Sequence, residues 1–172
     1  TRGRADLLKE VGISFEIVLF REDSRRGMDV DESPRPGEEP SEYVLRVARA
    51  KAEAANLRLV QRRLPTYPVL AADTTVVLGQ RILGKPADET EAIGMLAALA
   101  GATHQVLTAV AVCRYERLET RLSTSTVELA PLTPAQIRTY AATGEPLDKA
   151  GAYPIQGRGG AFVRDLSGSY NG

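Results

Sequence analysis

Residues 68–78, PVLAADTTVVL, constrain the fold of this 172-residue chain more than any other stretch. Val, Leu, Ala and Thr follow one another with no polar side to the run, the pattern of a central strand covered on both faces. Asp73 stands in the middle of it. An ionised carboxylate buried there without a partner is costly, so the surrounding chain has to bring it a cation or hydrogen-bond donors. The fold must therefore cover a sheet on two sides and still admit a polar site at one strand.

The flanking sequence supplies the cover. Residues 4–11 predict a short helix with Leu7, Leu8 and Val11 on one side and Gly12 as its stop. Residues 13–20, rich in β-branched and aromatic side chains, predict a strand. Residues 21–40 are charged and rich in Pro and Gly, a long loop of the kind that is usually functional or mobile. Pro40 and Ser41 open a helix to about Asn56 whose apolar stripe is Val44, Val47, Ala48 and Ala55. Lys51 falls on that stripe, where it must either snorkel or point into a site that wants positive charge.

Beyond the central strand, residues 81–83 pair back, and Asp88 with Glu91 forms a capping box for a helix that Gly101 stops. Residues 103–114 and 120–129 alternate at period two and read as antiparallel neighbours. Thr133-Pro134-Ala135-Gln136 starts a further helix ending at Gly144. Residues 145–160 are too glycine-rich for a regular element, and 161–166 form a last short strand. Hairpins and crossovers along one chain predict an α/β fold on a mixed sheet. The length suits a single domain over residues 1–172. Both ends are abrupt, Thr1 in place of a Met and a stop at Asn171-Gly172, which suggests that short flanking pieces are missing.

Composition narrows the chemistry. There is one cysteine, Cys113, and one histidine, His104, which excludes a disulfide framework, a cysteine zinc site and multi-histidine centres. Lys and Arg total 22, as do Asp and Glu, so no excess positive charge argues for nucleic acid or a polybasic membrane anchor. No apolar run approaches the roughly 20 residues of a membrane span. Chemistry then rests on Asp, Glu, Lys, Arg, Ser, Thr or Tyr.

Three features break local folding logic: Asp73 inside an apolar strand, Lys85 between Gly84 and Pro86, and the glycine-rich stretch 151–160 with Lys149, Tyr153 and Gln156 around it. Taken singly, each has a bland reading as a paired carboxylate, a turn lysine or a surface loop. Together with Lys51 and Arg4 they supply the cations that bind polyphosphate. Asp73, with Glu32 or Asp31 of the long loop, supplies hard oxygen ligands for Mg²⁺. The set points to metal-assisted hydrolysis of a phosphate ester or anhydride. No phosphate-binding GxxxxGK[ST] motif is present, and Gly157-Arg158-Gly159-Gly160 precedes a strand, unlike a dinucleotide fingerprint. His104 reads as a hydrogen-bonded structural residue and Cys113 as a core or edge residue.

The stretches RADLLKEVGISFEIV, DESPRPGEEPSEYVLRVARAKA, AADTTVVLGQRILGKPADETEA, GATHQVLTAVAV and GEPLDKAGAYPIQGRGGAFV, ending in SGSYN, run in order along nearly the whole chain. They resemble the Maf-like nucleoside triphosphate pyrophosphatases, once described as septum-formation inhibitors. The resemblance implies an α/β fold with a curved mixed sheet flanked by helices, in two lobes around a nucleotide cleft. It implies hydrolysis of a nucleoside triphosphate to monophosphate and pyrophosphate with a divalent metal, Mg²⁺ or Mn²⁺, by a cytoplasmic homodimer. The KAGAY-x-IQG segment is similar to that of the subgroup acting on dTTP and UTP, modified pyrimidine nucleotides included.

By resemblance, Asp73 is the proton acceptor and, with Glu32, a metal ligand. Arg4, Lys51 and Lys85 hold phosphates, and Thr74 and Gln156 help select the base. One departure stands out: the family opens Ser-x-Ser-Pro-Arg-Arg, and Gly3 occupies the place of the first arginine. A nucleotide-binding regulator of cell division, acting through a protein partner, is the alternative to an enzyme.

Overall fold

The computed structural model describes residues 2–18, 30–65 and 67–171. Helix α1 (Arg2–Glu10) is followed by α2 (Pro40–Gln61), strands β1 (Val69–Leu78) and β2 (Arg81–Leu83), α3 (Glu89–Leu99), β3 (Thr103–Arg114), β4 (Arg117–Leu129) and α4 (Pro134–Ala141). Three short 3-10 turns, Glu145–Asp148, Ala150–Ala152 and Arg158–Phe162, lead into β5 (Val163–Ser167). Among the described residues no helix is long and apolar enough to cross a membrane.

The strands form one sheet in the order β2-β1-β3-β4-β5, and every ladder in it is antiparallel. The α/β class is as expected, while among the described residues the sheet, expected to be mixed, is antiparallel. Strands β2 and β3 do run in the same direction, with α3 as the crossover between them, but they lie on opposite sides of β1 and never pair. A crossover that skips one strand leaves no parallel ladder.

A second correction concerns residues 13–20. Of these, 13–18 are described and form no strand; Ile13 and Ile17 are exposed, and residues 19 and 20 lie outside the described residues. Propensity alone does not make a strand where no neighbouring strand offers a ladder. Of the long loop, residues 21–29 also lie outside the described residues.

Two apolar cores sandwich the sheet. Tyr43, Val44, Val47, Ala48 and Ala52 of α2 pack on Val77, Leu107, Ala109, Ala111 and Cys113. On the other face Ala92, Met95, Leu96 and Leu99 of α3 and Ile137 and Tyr140 of α4 meet Val76, Val127, Leu129 and Tyr153. Burying each such Leu or Val stabilises the fold by about 1.5–3 kcal/mol relative to exposure. Helices α2, α3 and α4 begin where expected, α1 two residues earlier: Asp88 accepts from the Glu91 amide at 2.8 Å, and Thr133 and Gln136 form a reciprocal capping box. Helix α2 outruns its expected end by a turn, and β4 starts earlier than expected, at Arg117.

Candidate active site

Side chains alternate along β1, so its two faces separate neighbouring residues. Asp73 lies on the face covered by α2, between Ala71 and Val77 in that core. There it meets Lys51, one turn beyond the buried Val47: Nζ donates to Asp73 Oδ1 at 2.8 Å and lies 2.9 Å from Glu32 Oε2. The Lys51 and Asp73 side chains are 17% and 13% exposed, whereas Glu32 is 50% exposed. The stripe position of Lys51 thus leads into a site, not out to water. One ammonium bridges two carboxylates, one rigid on a strand and one on a loop.

That loop is fastened from α2. Arg46 Nε and Nη2 donate to the two oxygens of Glu38 at 2.6 and 2.9 Å, a bidentate pair. Its Nη2 and Nη1 also donate to the Ser33 and Asp31 carbonyls, at 2.9 and 3.2 Å. Tyr43 Oη donates to the Glu32 carbonyl at 3.0 Å, with the Arg46 guanidinium 5.6 Å over its ring. The Arg46 hydrogen bonds hold the Glu38 carboxyl down at about 2. Burial, then the charges of Asp73 and Glu32, push the Tyr43 phenol up to about 12. Asp31 turns its carboxylate to the Ser33 amide at 2.9 Å, so of the two loop acids it is Glu32 that faces Asp73 through Lys51.

Thr74 points to the opposite face, and Arg4 of α1 spans the strand between them. Its Nη1 donates to the Ala72 carbonyl at 2.7 Å and its Nη2 to Thr74 Oγ1 at 3.0 Å. Strand β2 pairs with β1 only from Val76 onward, which leaves this stretch of edge for Arg4. Burial pulls the Arg4 pKa down and the Asp73 charge pushes it back up. Thr74 Oγ1 also lies 2.9 Å from Oγ1 of Thr108, its partner across the β1–β3 ladder.

Arg4, Glu32, Lys51, Asp73 and Thr74 therefore join one site. Lys85 and Gln156 have no direct contact with it. Lys85 is exposed at the end of the β2 turn, without a hydrogen bond or ion pair among the described residues. It lies near Asp148, whose carboxyl is held low mainly by the Lys149 ammonium at 2.8 Å and to a lesser degree by Lys85. Gln156 is exposed and donates Nε2 to the Tyr170 carbonyl at 3.1 Å.

The glycine-rich segment does lie against the Thr74 face. The Gly151 amide donates to the Gly84 carbonyl at 3.0 Å, and a Cβ at Gly151 would come within 2.7 Å of Val76, two residues along from Thr74. With φ at +69°, that position suits glycine on both counts. Tyr153 follows, its hydroxyl 2.6 Å from His104 Nε2, which bears out the structural reading of His104. Glu145 buckles the far end, accepting from the Arg158 and Gly159 amides and from Tyr140 Oη.

Thr108, Tyr43, Arg46 and Glu145 escaped sequence reasoning. Only Thr108 left a signal, as a hydroxyl inside the otherwise apolar VLTAVAV.

A divalent cation fits the donor set. Glu32 and Asp73 offer hard carboxylate oxygens, and among the described residues no group of three or more His, Cys, Asp or Glu could hold a metal by itself. Mg²⁺ is commonly held by one or two carboxylates together with substrate phosphates.

The family model described as Maf-like protein matches residues 2–172. A protein named dTTP/UTP pyrophosphatase from Nitrosomonas europaea is 54% identical over 169 residues, covering 98% of this chain and 82% of that protein. Proteins of the same name from Aromatoleum aromaticum and Dechloromonas aromatica are 49% and 47% identical, over 98% of this chain and 82% and 84% of theirs. With the family model matching nearly its whole length and these relatives about half identical to it, the chain belongs to the Maf-like protein family.

Proposed function

We propose that the chain is a nucleoside triphosphate pyrophosphatase that hydrolyses dTTP and UTP to the monophosphate and pyrophosphate. The observation that carries the reading is Lys51 held between Asp73 and Glu32, at 2.8 and 2.9 Å. Hydrolysis of a phosphoanhydride needs a base for water, cations for the leaving group and oxygen ligands for a metal, and this cluster holds all three types.

In this reading water attacks the α-phosphorus and the bond to the bridging oxygen breaks, so that pyrophosphate departs. Lys51 fixes Asp73 by Oδ1, which leaves Oδ2 to take the proton of the attacking water. Lys51 and Arg4 face the triphosphate, and Lys85 approaches it from the turn beside Asp148. Glu32 and Asp73 would hold Mg²⁺ or Mn²⁺, which when bound supplies positive charge against the phosphate oxygens. Gln156, with both an acceptor and a donor on its amide, suits the N3–H and O4 edge common to uracil and thymine. The resemblance extends this reading to a cytoplasmic homodimer.

The test is pyrophosphate release from a panel of nucleoside triphosphates with Mg²⁺ or Mn²⁺. Release from dTTP and UTP ahead of CTP, dCTP and the purines, lost with a chelator, is the expected result. Nucleotide binding without release would instead favour the regulator.

A further inference from the structure

Thr74 Oγ1 receives the Arg4 guanidinium at 3.0 Å, and a guanidinium can only donate. One of the two acceptor positions on that oxygen is therefore filled. The contact with Thr108 Oγ1, at 2.9 Å, can run in either direction, but burial decides between them. Thr108 is 8% exposed and has no other hydrogen-bond partner among the described residues. If Thr74 donated, the Thr108 hydrogen would be left buried and unpaired, which is unfavourable. Thr108 therefore donates, and both acceptor positions of Thr74 are taken. Its one hydrogen is left to point into the half-exposed surroundings of Thr74.

We propose that Thr108 is a positioning residue that locks Thr74 as a hydrogen-bond donor only, and so makes the site accept a base carbonyl and reject a base amino group. The inference rests on the proposed reading of Thr74 as a base-contacting residue. Uracil and thymine carry a carbonyl at position 4, where cytosine carries an amino group, itself a donor. A donor-only hydroxyl facing that amino group leaves two donors opposed. Thr108 does this from the floor of the sheet without touching the nucleotide.

Thr108→Val keeps the β-branched shape and removes the hydroxyl. Thr74 then regains one acceptor position and can receive a cytosine amino group. The expected result is a fall of about tenfold in the UTP:CTP ratio of kcat/KM, the scale of one unsatisfied buried donor. Most of that fall comes from improved use of CTP. Thr108→Ser restores the donor and keeps the wild-type ratio. Calorimetric affinities for UMP and CMP supply the same comparison without turnover, and melting temperatures report the folding of both variants.

An unchanged ratio in Thr108→Val, or a loss shared equally by UTP and CTP, overturns the lock and leaves Thr108 a merely structural hydroxyl. Equal wild-type affinity for UMP and CMP overturns it too, even where pyrophosphate release from UTP stands. A protein that releases no pyrophosphate, yet prefers UMP in the wild type and loses that preference in Thr108→Val, sinks the proposed activity and upholds the lock.

Discussion

The two faces of β1 are built from different chemistry within a few ångströms of each other. Toward α2 the strand presents Asp73, and its surroundings are charged: Lys51, Glu32 and, behind them, the Arg46–Glu38 clasp. Toward α3 it presents Thr74, whose hydroxyl meets Thr108 and the Arg4 guanidinium, with Val76 against Gly151 two residues along and no carboxylate bonded to it among the described residues. Among the described residues Arg4 reaches both sides, bonded to Thr74 and within the field of Asp73. On the proposed reading, the alternation of a β-strand separates a face for phosphate chemistry from one that reads the base, using consecutive residues.

The sharpest way to break that division is to exchange one residue on each face. Asp73→Asn keeps the side-chain shape and removes the proposed base and one of the two proposed metal ligands. Turnover of UTP should fall by about 10²–10⁴, the span of a lost general base. Thr74→Val should cost far less turnover and should shift the ratio of UTP to CTP. Steady-state kinetics of the two variants on both nucleotides measures this. A large drop in turnover from Thr74→Val with base preference unchanged would erase the distinction between the faces.

Lys51 should couple chemistry to stability on the charged face. Lys51→Met leaves Asp73 and Glu32 without their shared cation, and Asp73 is nearly buried. The expected losses are about 1–3 kcal/mol in transition-state binding and about 1–3 kcal/mol in folding stability, since a buried charge is stranded. Adding Asp73→Asn to Lys51→Met should return much of the stability and none of the activity. Urea denaturation of the two single variants and the double variant gives the coupling directly.

The charged face was largely legible in the sequence, and the neutral face was not. Asp73 announced itself as a carboxylate in an apolar strand, and Lys51 as a cation on an apolar helix stripe. Each violates the pattern of its own element, and pattern is what a sequence displays. Thr108 and Thr74 meet through strand register, across 34 positions in the chain, and although Thr108 interrupts an apolar run, a threonine suits a strand and names no partner. The Arg46 clasp was hidden for a similar reason, because an arginine on a helix has no visible partner until the loop folds back onto it.

The sheet illustrates the same limit: helices and hairpins were readable from caps and alternation, whereas the wholly antiparallel pairing depends on β2 and β3 lying on either side of β1. Residues 13–18 looked like a strand because propensity is local, whereas pairing depends on a neighbour.

Arg46 offers a milder test that should stay on its own face. Arg46→Met removes the bidentate hold on Glu38 and the bonds to the Ser33 and Asp31 carbonyls, leaving Tyr43 on the Glu32 carbonyl and Lys51 on its carboxylate. The KM for UTP should rise by up to about tenfold, as for other groups that orient a ligand-bearing residue. The ratio of UTP to CTP should stay at its wild-type value, because nothing on the Thr74 face has moved. A changed ratio would show that the loop reaches the base.

The smallest expected effect belongs to the neutral face and is a matter of pH. His104 is buried against Tyr153, and burial lowers its pKa from the ordinary 6.5 to about 4. The folded chain therefore keeps the imidazole neutral over a range in which the unfolded chain binds a proton. Between those two values the unfolded state holds more protons, so stability rises with pH and is lost as pH falls from about 6.5 towards 4. The carboxyls held low in the fold, those of Asp31, Glu38, Glu145 and Asp148, start from ordinary values of 3.8, 4.5, 4.5 and 3.8 and so act mainly below this window. The upper part of the window thus belongs to His104. His104→Gln retains a side chain able to bond Tyr153 and removes the titration. Urea unfolding at pH 7 and pH 5 should show a smaller decrease for this variant than for the wild type. An equal decrease in both would assign the acid sensitivity to the carboxyls held low in the fold instead.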